Sequence, residues 1–374
     1  MNMPVRLAVL TTALLSLVAC RETVSPSAGP PFDLQAHRGG LALVTENSLA
    51  SFAHALELGV STLELDTQVT EDHQVVVTHD RKISDKKCRD TAPITPADPE
   101  YPYVGKYIVN LTLAQIKTMD CGSLVLADFP FQRVVPGLTM PELNDVFKLV
   151  KAYGNTAVKL NIETKVEAGA PSETAPRELF VTTVLAEIQR SGLANQVTVQ
   201  SFDWGSLMLV RQLAPKLPIV ALTNGQQFLQ LGQPGKSPWL GGLDIDDVPG
   251  TTLQDKYVAA AKSFGVNTVS PVHGDPQNGR VGQANYVPFT TPALVQAAHA
   301  AGMKVVPWTV DDRATFESLM DAGVDGLITD YPDQLRTVLS ERGYALPSVS
   351  HLSAEQWCQL VREDPANHRV QCSP

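Results

Sequence analysis

Histidine, carboxylate and basic side chains recur at the ends of short apolar segments along this chain. His37 and Arg38 close the first segment, Glu64 and Asp66 lie on the second, and His79 closes the third. Imidazole titrates near neutral pH, so one copy can accept a proton while a second, protonated copy donates one. We therefore expect His37 and His79 to act as a general acid and a general base.

Three carboxylates are candidate metal ligands. Glu64 and Asp66 are two positions apart on a predicted strand, so both side chains point to the same face, and Glu163 ends a later strand. Three like charges held close together repel and need a cation. An all-oxygen donor set favours Mg²⁺ or Ca²⁺ over zinc. The alternative is that Glu64 or Glu163 forms a salt bridge with Arg38 or Lys165.

Two basic side chains accompany these groups. The guanidinium of Arg38 matches the oxygens of a phosphate, and Lys165 adds a second positive charge. With a divalent cation and two histidines, this set predicts phosphodiester cleavage. Abstraction of a proton beside a carbonyl would also use a metal and bases, but it has less need of two cations. His273 is a weaker candidate for the same site, and the other histidines are interpreted as solvated or packing residues: His54, His73, His299, His351 and His368.

The elements that must position these residues form a repeated pattern. Short β-branched runs alternate with helical-period segments, which is typical of βα units and of a parallel barrel. In such a barrel, residues at the carboxyl ends of the strands face one shared rim. The sequence predicts nine strands for the eight positions of a barrel, and their spacing does not identify the extra strand. The predicted strands are Leu34–Arg38, Leu63–Asp66, Val75–His79, Ala157–Thr164, Val197–Phe202, Ile219–Thr223, Thr268–Pro271, Val305–Val310 and Leu327–Asp330. The predicted helices include Ser48–Leu58, Glu178–Arg190, Leu253–Phe264, Pro292–Ala300, Thr315–Asp321 and Pro332–Arg342.

Composition narrows the class of protein. The chain has 374 residues, of which 44% are hydrophobic and 18% charged, so it can bury a sizeable core in one large α/β domain. Its net charge of −10 argues against a nucleic-acid partner, since such proteins are usually basic.

The amino terminus predicts export and a lipid anchor. Arg6 precedes the apolar stretch 7–19, which is too short to span a bilayer and is typical of a signal peptide. The sequence Leu-Val-Ala-Cys at 17–20 resembles the lipobox of bacterial lipoproteins, in which cleavage precedes an acylated cysteine, here Cys20. An ordinary cleaved signal peptide is the alternative. We therefore expect a signal peptide at 1–19, a tether at 20–32 and a membrane-anchored protein of the bacterial cell envelope, periplasmic or on the outer membrane.

The chain has five cysteines. If Cys20 is acylated, four remain for disulfides in an oxidising compartment, and three pairings are open. Pairing Cys88 with Cys121 and Cys358 with Cys372 is favoured because each bond closes a local loop. The proline-rich residues 81–110 predict an insertion, and residues 343–374 predict a tail that carries the second pair.

Several motifs together resemble the glycerophosphodiester phosphodiesterase family. The resemblance covers about residues 33–340, and its motifs occur in the family's order: Ala-His-Arg-Gly-Gly (36–40), Thr-Glu-Asn-Ser (45–48), Leu-Glu-Leu-Asp (63–66), Val-Val-Thr-His-Asp (76–80), Asn-Ile-Glu-Thr-Lys (161–165), Val-Gln-Ser-Phe-Asp (199–203), Pro-Trp-Thr-Val-Asp-Asp (307–312) and Gly-Val-Asp-Gly-Leu-Ile-Thr-Asp (323–330). Ser48 stands where the family has threonine, and it can cap the following helix.

The resemblance implies a fold and a reaction. The fold is a TIM (β/α)8 barrel of the phospholipase-C-like phosphodiesterase type over residues 33–342, with the insertion after the third strand. The reaction is hydrolysis of glycerophosphodiesters, such as glycerophosphocholine and glycerophosphoethanolamine, to sn-glycerol 3-phosphate and an alcohol. Ca²⁺ is the expected cofactor of the periplasmic branch, with Mg²⁺ as the alternative.

The resemblance also assigns roles to individual residues. It implies that His37 and His79 are the acid and base, and that the metal ligands are Glu64, Asp66 and Glu163. Arg38 would contact the phosphate, Lys165 and Trp308 would line the substrate site, and the supporting residues would be Glu46 and Asn47.

Two other functions are compatible with these motifs. The first is a phospholipase D-like enzyme acting on lysophospholipid or sphingomyelin, and the second is a surface lipoprotein that binds ligands without catalysis. The sequence leaves open the head group, the oligomeric state, and the choice between water and the substrate's 2-hydroxyl as nucleophile.

Overall fold

The predicted barrel is present in the computed structural model, which describes residues 29–370. Eight parallel strands pair side by side in the order β10-β7-β6-β5-β4-β2-β1-β11. Backbone hydrogen bonds from Ile328 to Pro307 and from Val310 to Ile328, both 3.0 Å, join the two ends of this order and nearly close the barrel. The strands are β1 Asp33–Ala36, β2 Thr62–Val69, β3 Val75–Val77, β4 Lys159–Thr164, β5 Val197–Ser201, β6 Ile219–Thr223, β7 Thr268–Pro271, β8 Gly274–Asp275, β9 Val287–Pro288, β10 Lys304–Val305 and β11 Gly326–Thr329.

The extra predicted strand is the one at Val75–His79. It corresponds to β3, which pairs antiparallel with β2 and lies outside the ring of parallel strands. Only five residues separate the two strands, which permits a hairpin but not the long crossover that a parallel neighbour requires. The sequence left open which strand is the extra one. His79, predicted to end a strand, reaches the rim from the end of a hairpin and not from a parallel strand.

Helices alternate with the strands around the barrel. Pro292–Ala300 has the predicted bounds, and Ser48 caps α1 by accepting a hydrogen bond from the Ser51 backbone N–H. The helices are α1 Leu49–Leu58, α2 Leu113–Ile116, α3 Leu143–Tyr153, α4 Arg177–Ser191, α5 Trp204–Leu213, α6 Gln226–Leu229, α7 Leu253–Ser263, α8 Pro292–Ala300, α9 Arg313–Asp321, α10 Pro332–Glu341 and α11 Ala354–Arg362. Within residues 29–370, none is both long and apolar enough to cross a bilayer.

The main core lies between the strands and the surrounding helices. All eight residues of β2 are buried, as expected for a parallel strand covered on both sides. Large rings seal the layer of helices against the barrel, including Phe52, Phe147, Phe180, Trp204 and Phe316. This rigid ring of strands fixes the positions of the side chains at its carboxyl end.

The segment between β3 and α3 contains the predicted insertion and has a small core of its own. Its buried residues are Val76, Ile83, Cys88, Tyr103, Ile108, Leu111, Ile116, Met119 and Met140. A disulfide joins Cys88 to Cys121, which confirms the first predicted pair. The second pair includes Cys372, and the signal peptide, Cys20 and most of the tether precede residue 29, so these predictions fall outside the described residues.

Candidate active site

A cavity of about 630 Å³ opens at the carboxyl end of the parallel strands. Eight of the residues singled out in the sequence line it: His37, Arg38, Glu64, Asp66, His79, Glu163, Lys165 and Trp308. The structure thus brings together side chains that are as far apart in the sequence as positions 37 and 308. Glu46 and Asn47 lie behind this layer and contact it.

A tight turn after β1 aims His37 and Arg38 into the cavity. Arg38, Gly39 and Gly40 all have positive φ, at 50°, 82° and 94°. A Cβ atom on Gly39 would lie 2.5 Å from the Ser51 hydroxyl oxygen, so only glycine fits there. Arg38 tolerates its unfavourable φ because its backbone N–H donates a 2.8 Å hydrogen bond to Glu64 Oε2. This bond ties the turn directly to the carboxylate cluster.

Glu46 and Asn47 support the neighbouring groups. The Asn47 side chain donates to Asp66 Oδ2 at 2.9 Å, and its own oxygen lies 3.3 Å from the Asp66 backbone N–H. Asn47 also has a positive φ, at 49°. The Glu46 carboxylate accepts a 3.1 Å hydrogen bond from Arg38. These contacts orient Asp66 and Arg38 from the side opposite the cavity.

The three predicted metal ligands form one buried cluster. A ligand oxygen from each of Glu64, Asp66 and Glu163 lies within 4.8 Å of the others. Burial, and then the charges of Asp66 and Glu163, hold the pKa of Glu64 well above its usual range. Burial also raises the pKa of Glu163 to about 7. Unfavourable carboxylate charge of this kind is relieved by a bound cation, and the all-oxygen donor set fits Ca²⁺ or Mg²⁺.

The salt bridges considered from the sequence are also present. Lys165 Nζ lies 3.0 Å from Glu163 and 3.5 Å from Asp66, while Arg38 Nε lies 3.3 Å from Asp66. Burial alone would raise the pKa of Asp66, but the charges of Lys165, His79 and Arg38 hold it well below its usual value. Two cations therefore face three carboxylates, and Arg38 is shared with Glu46. When all three carboxyls are ionised, as metal ligands are, their negative charge exceeds the positive charge of these two side chains.

Each predicted catalytic histidine is held by a carboxylate. His37 Nδ1 lies 2.5 Å from Asp330 Oδ1, and His79 Nδ1 lies 2.7 Å from Asp80 Oδ1. Both contacts leave Nε2 as the ring nitrogen available for proton transfer. Burial, reinforced by the charge of Arg38, lowers the pKa of His37 to about 3 and that of His79 to about 4. Both rings are therefore neutral at neutral pH in the free protein.

Asp330 was not among the predicted site residues. It follows β11, and it ends the last strand predicted from the sequence, so the rule that strand ends face the site was sufficient to find it. Its carboxylate is buried, and burial raises the pKa of Asp330 to about 7.

An aromatic wall, formed by Phe202, Phe228, Trp239 and Trp308, extends the cavity beyond the charged groups. Phe202 makes edge-to-face contacts with Phe228 and Trp308, both at 5.2 Å between ring centroids. Phe228 stacks on Trp239 at 4.2 Å. Only Trp308 was predicted from the sequence as a site residue. Phe202 ends a predicted strand but was given no role, and Phe228 and Trp239 lie on one-turn helices between β6 and α7 that are too short to show a periodic pattern.

His273 has a structural environment. It is buried, and its two ring nitrogens contact the Tyr286 hydroxyl and the Gln277 carbonyl, both at 2.9 Å. Its side chain is not among those that line the cavity in the described part of the chain.

Comparisons with known proteins agree with this geometry. Residues 37–334 match the model of the glycerophosphoryl diester phosphodiesterase family. A glycerophosphodiester phosphodiesterase from Caldanaerobacter subterraneus subsp. tengcongensis is 28% identical over 308 residues, which cover 82% of this chain and 98% of that protein.

Solved structures show the same fold. The fold superposes with a TM-score of 0.67 on a Silicibacter pomeroyi protein that is assigned to the glycerophosphoryl diester phosphodiesterases and is 27% identical. The match covers 85% of this chain and 97% of that protein. An Oleispira antarctica phosphodiesterase, solved with the product sn-glycerol-3-phosphate, has a TM-score of 0.57 at 19% identity. The match covers 82% of this chain and 96% of that protein. The family match spans most of the chain and includes every residue of the cavity. The chain therefore belongs to the glycerophosphoryl diester phosphodiesterase family and is a phosphoric diester hydrolase with a TIM-barrel fold.

Proposed function

We propose that the enzyme uses a divalent cation, with His37 and His79 as acid and base, to hydrolyse deacylated phospholipids such as glycerophosphocholine and glycerophosphoethanolamine. The products are sn-glycerol 3-phosphate and the free alcohol. One observation carries the proposal: two carboxylate-held imidazoles and two cationic side chains surround a buried three-carboxylate cluster in a single cavity.

The basic side chains bind the phosphodiester. Arg38 and Lys165 are held by carboxylates on one side and line the cavity on the other, so their charges face the non-bridging oxygens of a bound phosphate. Glu64, Asp66 and Glu163 would hold a cation, with Ca²⁺ preferred and Mg²⁺ the alternative. That cation supplies Lewis-acid stabilisation of the negative charge that develops on phosphorus-bound oxygen.

The two imidazoles move the protons. One accepts the proton of the attacking hydroxyl, and the other protonates the leaving oxygen. Both rings are neutral in the free protein, and the negative charge of the bound phosphodiester raises the pKa of the ring that must become the acid. Asp330 and Asp80 stabilise the protonated form of His37 and His79, respectively, through their Nδ1 contacts.

The nucleophile is either water or the glycerol 2-hydroxyl of the substrate. The second route passes through a cyclic phosphate that water then opens. A 2-deoxy analogue of the substrate separates the two routes. Normal turnover of that analogue, with no cyclic phosphate trapped from the natural substrate, excludes the hydroxyl route.

An assay with purified protein tests the activity. Glycerophosphocholine is incubated with the enzyme with and without EDTA, and glycerol 3-phosphate and choline are measured. We expect equal amounts of both products, with formation stopped by EDTA and restored by excess Ca²⁺. Absence of product under all conditions would contradict the proposed activity and leave ligand binding without catalysis as the function. Undiminished turnover after chelation and dialysis would contradict the metal requirement.

Lysophospholipid is a second candidate substrate, because the aromatic wall offers an apolar surface next to the phosphate site. Lysophosphatidylcholine and sphingomyelin are therefore included in the same assay. We expect glycerophosphocholine to have the higher kcat/KM, and the reverse order would assign a phospholipase D-like activity.

We also propose that the mature enzyme is anchored in the bacterial cell envelope by acylation of Cys20. In support, the lipobox-like sequence Leu-Val-Ala-Cys at 17–20 ends the apolar stretch that begins at Leu7. Incorporation of labelled palmitate tests the anchor. We expect Cys20→Ser to abolish labelling, whereas labelling of that variant would contradict the proposal.

A further inference from the structure

Lys87 lies between two carboxylates at the edge of the active site. Its Nζ is 2.9 Å from Glu46 Oε1 and 2.8 Å from Asp80 Oδ2. The Glu46 side chain is 8% exposed, and that of Lys87 only 23%. Most ion pairs on a protein surface contribute little to stability because solvent and salt screen their charges. Partial burial weakens this screening for Lys87 and its two partners.

The two carboxylates are the partners of the proposed phosphate ligand and of one proposed acid–base residue. Glu46 accepts hydrogen bonds from Arg38, and Asp80 Oδ1 contacts His79 Nδ1. Lys87 binds the other oxygen of Asp80, so it fixes the plane of the carboxylate that orients the imidazole. A continuous chain of charged contacts therefore runs from Arg38 through Lys87 to His79.

Lys87 is not one of the residues that line the substrate cavity. Lys87 lines a separate, smaller pocket together with Glu46, Cys88 and Cys121. An effect of Lys87 on turnover must therefore pass through Glu46 and Asp80 and not through contact with the substrate.

The insertion determines where Lys87 lies. The backbone N–H groups of Lys87 and Cys88 both donate to the Ser84 carbonyl, at 3.2 and 2.9 Å. Cys88 is buried and forms the disulfide with Cys121. The adjacent residues Lys86 and Asp85 are exposed. The disulfide thus anchors the chain one residue after the lysine.

We propose that Lys87 is a positioning residue, presented by the disulfide-anchored insertion, that holds Arg38 and His79 in register through Glu46 and Asp80. The inference rests on the proposed roles of Arg38 and His79. It gives the insertion a function within the active site, beyond that of covering one face of the barrel.

Steady-state kinetics on glycerophosphocholine test the proposal, with Lys86→Met as a matched control one residue away. We expect Lys87→Met to lower kcat by about 10- to 100-fold, the range found when a side chain that orients a metal ligand is removed. Lys87→Arg should recover most of the activity, since a guanidinium can also bridge two carboxylates. Equal kcat for Lys87→Met and Lys86→Met would overturn the proposal. The proposal would also be overturned if Lys87→Arg lost as much kcat as Lys87→Met.

A readout without turnover separates this proposal from the proposed function. In ¹⁵N-histidine-labelled protein, we expect Lys87→Met to shift the ring signals of His79, assigned by their loss in His79→Gln, and Lys86→Met to leave them unchanged. If the wild type hydrolyses no phosphodiester but the shift is seen, the contact network stands and the proposed function fails. An unchanged His79 signal in Lys87→Met contradicts the positioning role whatever the activity.

The Cys88→Ser/Cys121→Ser double variant tests whether the disulfide helps to place Lys87. Assayed well below its unfolding temperature, it should show a smaller loss of kcat than Lys87→Met and a shift of the His79 signals in the same direction. Unchanged kcat and unchanged signals in the double variant would show that the disulfide has no part in placing Lys87.

Discussion

The imidazole of His37 lies 2.5 Å from the carboxylate of Asp330, a residue 293 positions later in the chain. The contact exists because β1 and β11 are parallel neighbours, with Ala36 opposite Thr329. The Asp330 backbone N–H in turn donates to Asp311 Oδ1 at 2.8 Å. The pairing of the first and last parallel strands in the chain therefore completes one half of the proposed acid–base machinery.

Asp330→Asn should impair catalysis without unfolding the barrel. The amide keeps the shape of the carboxylate but cannot stabilise a protonated His37, and we expect kcat to fall by about 100-fold or more. Steady-state kinetics in a double-mutant cycle with His37→Ala provide the check, because residues that act as a unit are not additive. A further large loss of kcat from Asp330→Asn in the His37→Ala background would show that Asp330 acts independently of His37.

Replacement of His79 should be equally damaging. His79→Gln removes the proton-transfer group, and a loss of kcat of about 10²- to 10⁴-fold is expected. The matched control is His351→Gln, since His351 is exposed and lies in the tail. Circular dichroism of both variants verifies the fold. Turnover within a few-fold of wild type in His79→Gln would remove this residue from the mechanism.

A divalent cation should stabilise the folded protein. A ligand that binds only the native state at 100 times its dissociation constant adds about 2.7 kcal/mol to the free energy of unfolding. We therefore expect Ca²⁺ to raise the unfolding temperature of the chelated wild type, and Glu163→Gln to need a higher Ca²⁺ concentration for the same rise. Glu178→Gln, an exposed site, serves as the control. Identical Ca²⁺ responses in all three proteins would place the cation elsewhere.

Glu187 should make stability dependent on pH. It is buried in α4, and burial raises its pKa to about 7. Between pH 4.5 and 7 the native state therefore holds a proton that the unfolded chain releases, so stability falls as the pH rises through this window. We expect Glu187→Gln to be more stable than wild type by about 1–3 kcal/mol at pH 8, and by little below pH 4.5.

Denaturant titrations at pH 4.5 and pH 8 measure this difference. The exposed Glu178 in the same helix is the matched site, and Glu178→Gln should show no comparable gain in stability at pH 8. An advantage of Glu187→Gln that is equal at both pH values would mean that packing, and not ionisation, is responsible.

Much of the site was predictable because its chemistry is concentrated at strand ends. His37, Glu64, Asp66 and Glu163 lie on or next to short apolar segments that the sequence predicts as strands, and parallel strands direct residues at their carboxyl ends to one rim. The disulfide of Cys88 with Cys121 also followed from the closeness of the two cysteines in sequence. The aromatic wall was harder to predict, because Phe228 and Trp239 lie on one-turn helices that are too short for a periodic pattern to indicate the direction of a side chain.

Local periodicity and residue type were enough to predict the barrel, the phosphodiesterase chemistry and eight of the residues that line the cavity, including all its proposed catalytic and metal-binding groups. Only the folded chain shows which predicted strand is antiparallel, that Asp330 holds His37, and that Lys87 bridges Glu46 and Asp80. These contacts join residues through the pairing of strands that are distant in sequence and through the insertion. Their distances depend on how the whole chain packs, and no short-range pattern encodes them.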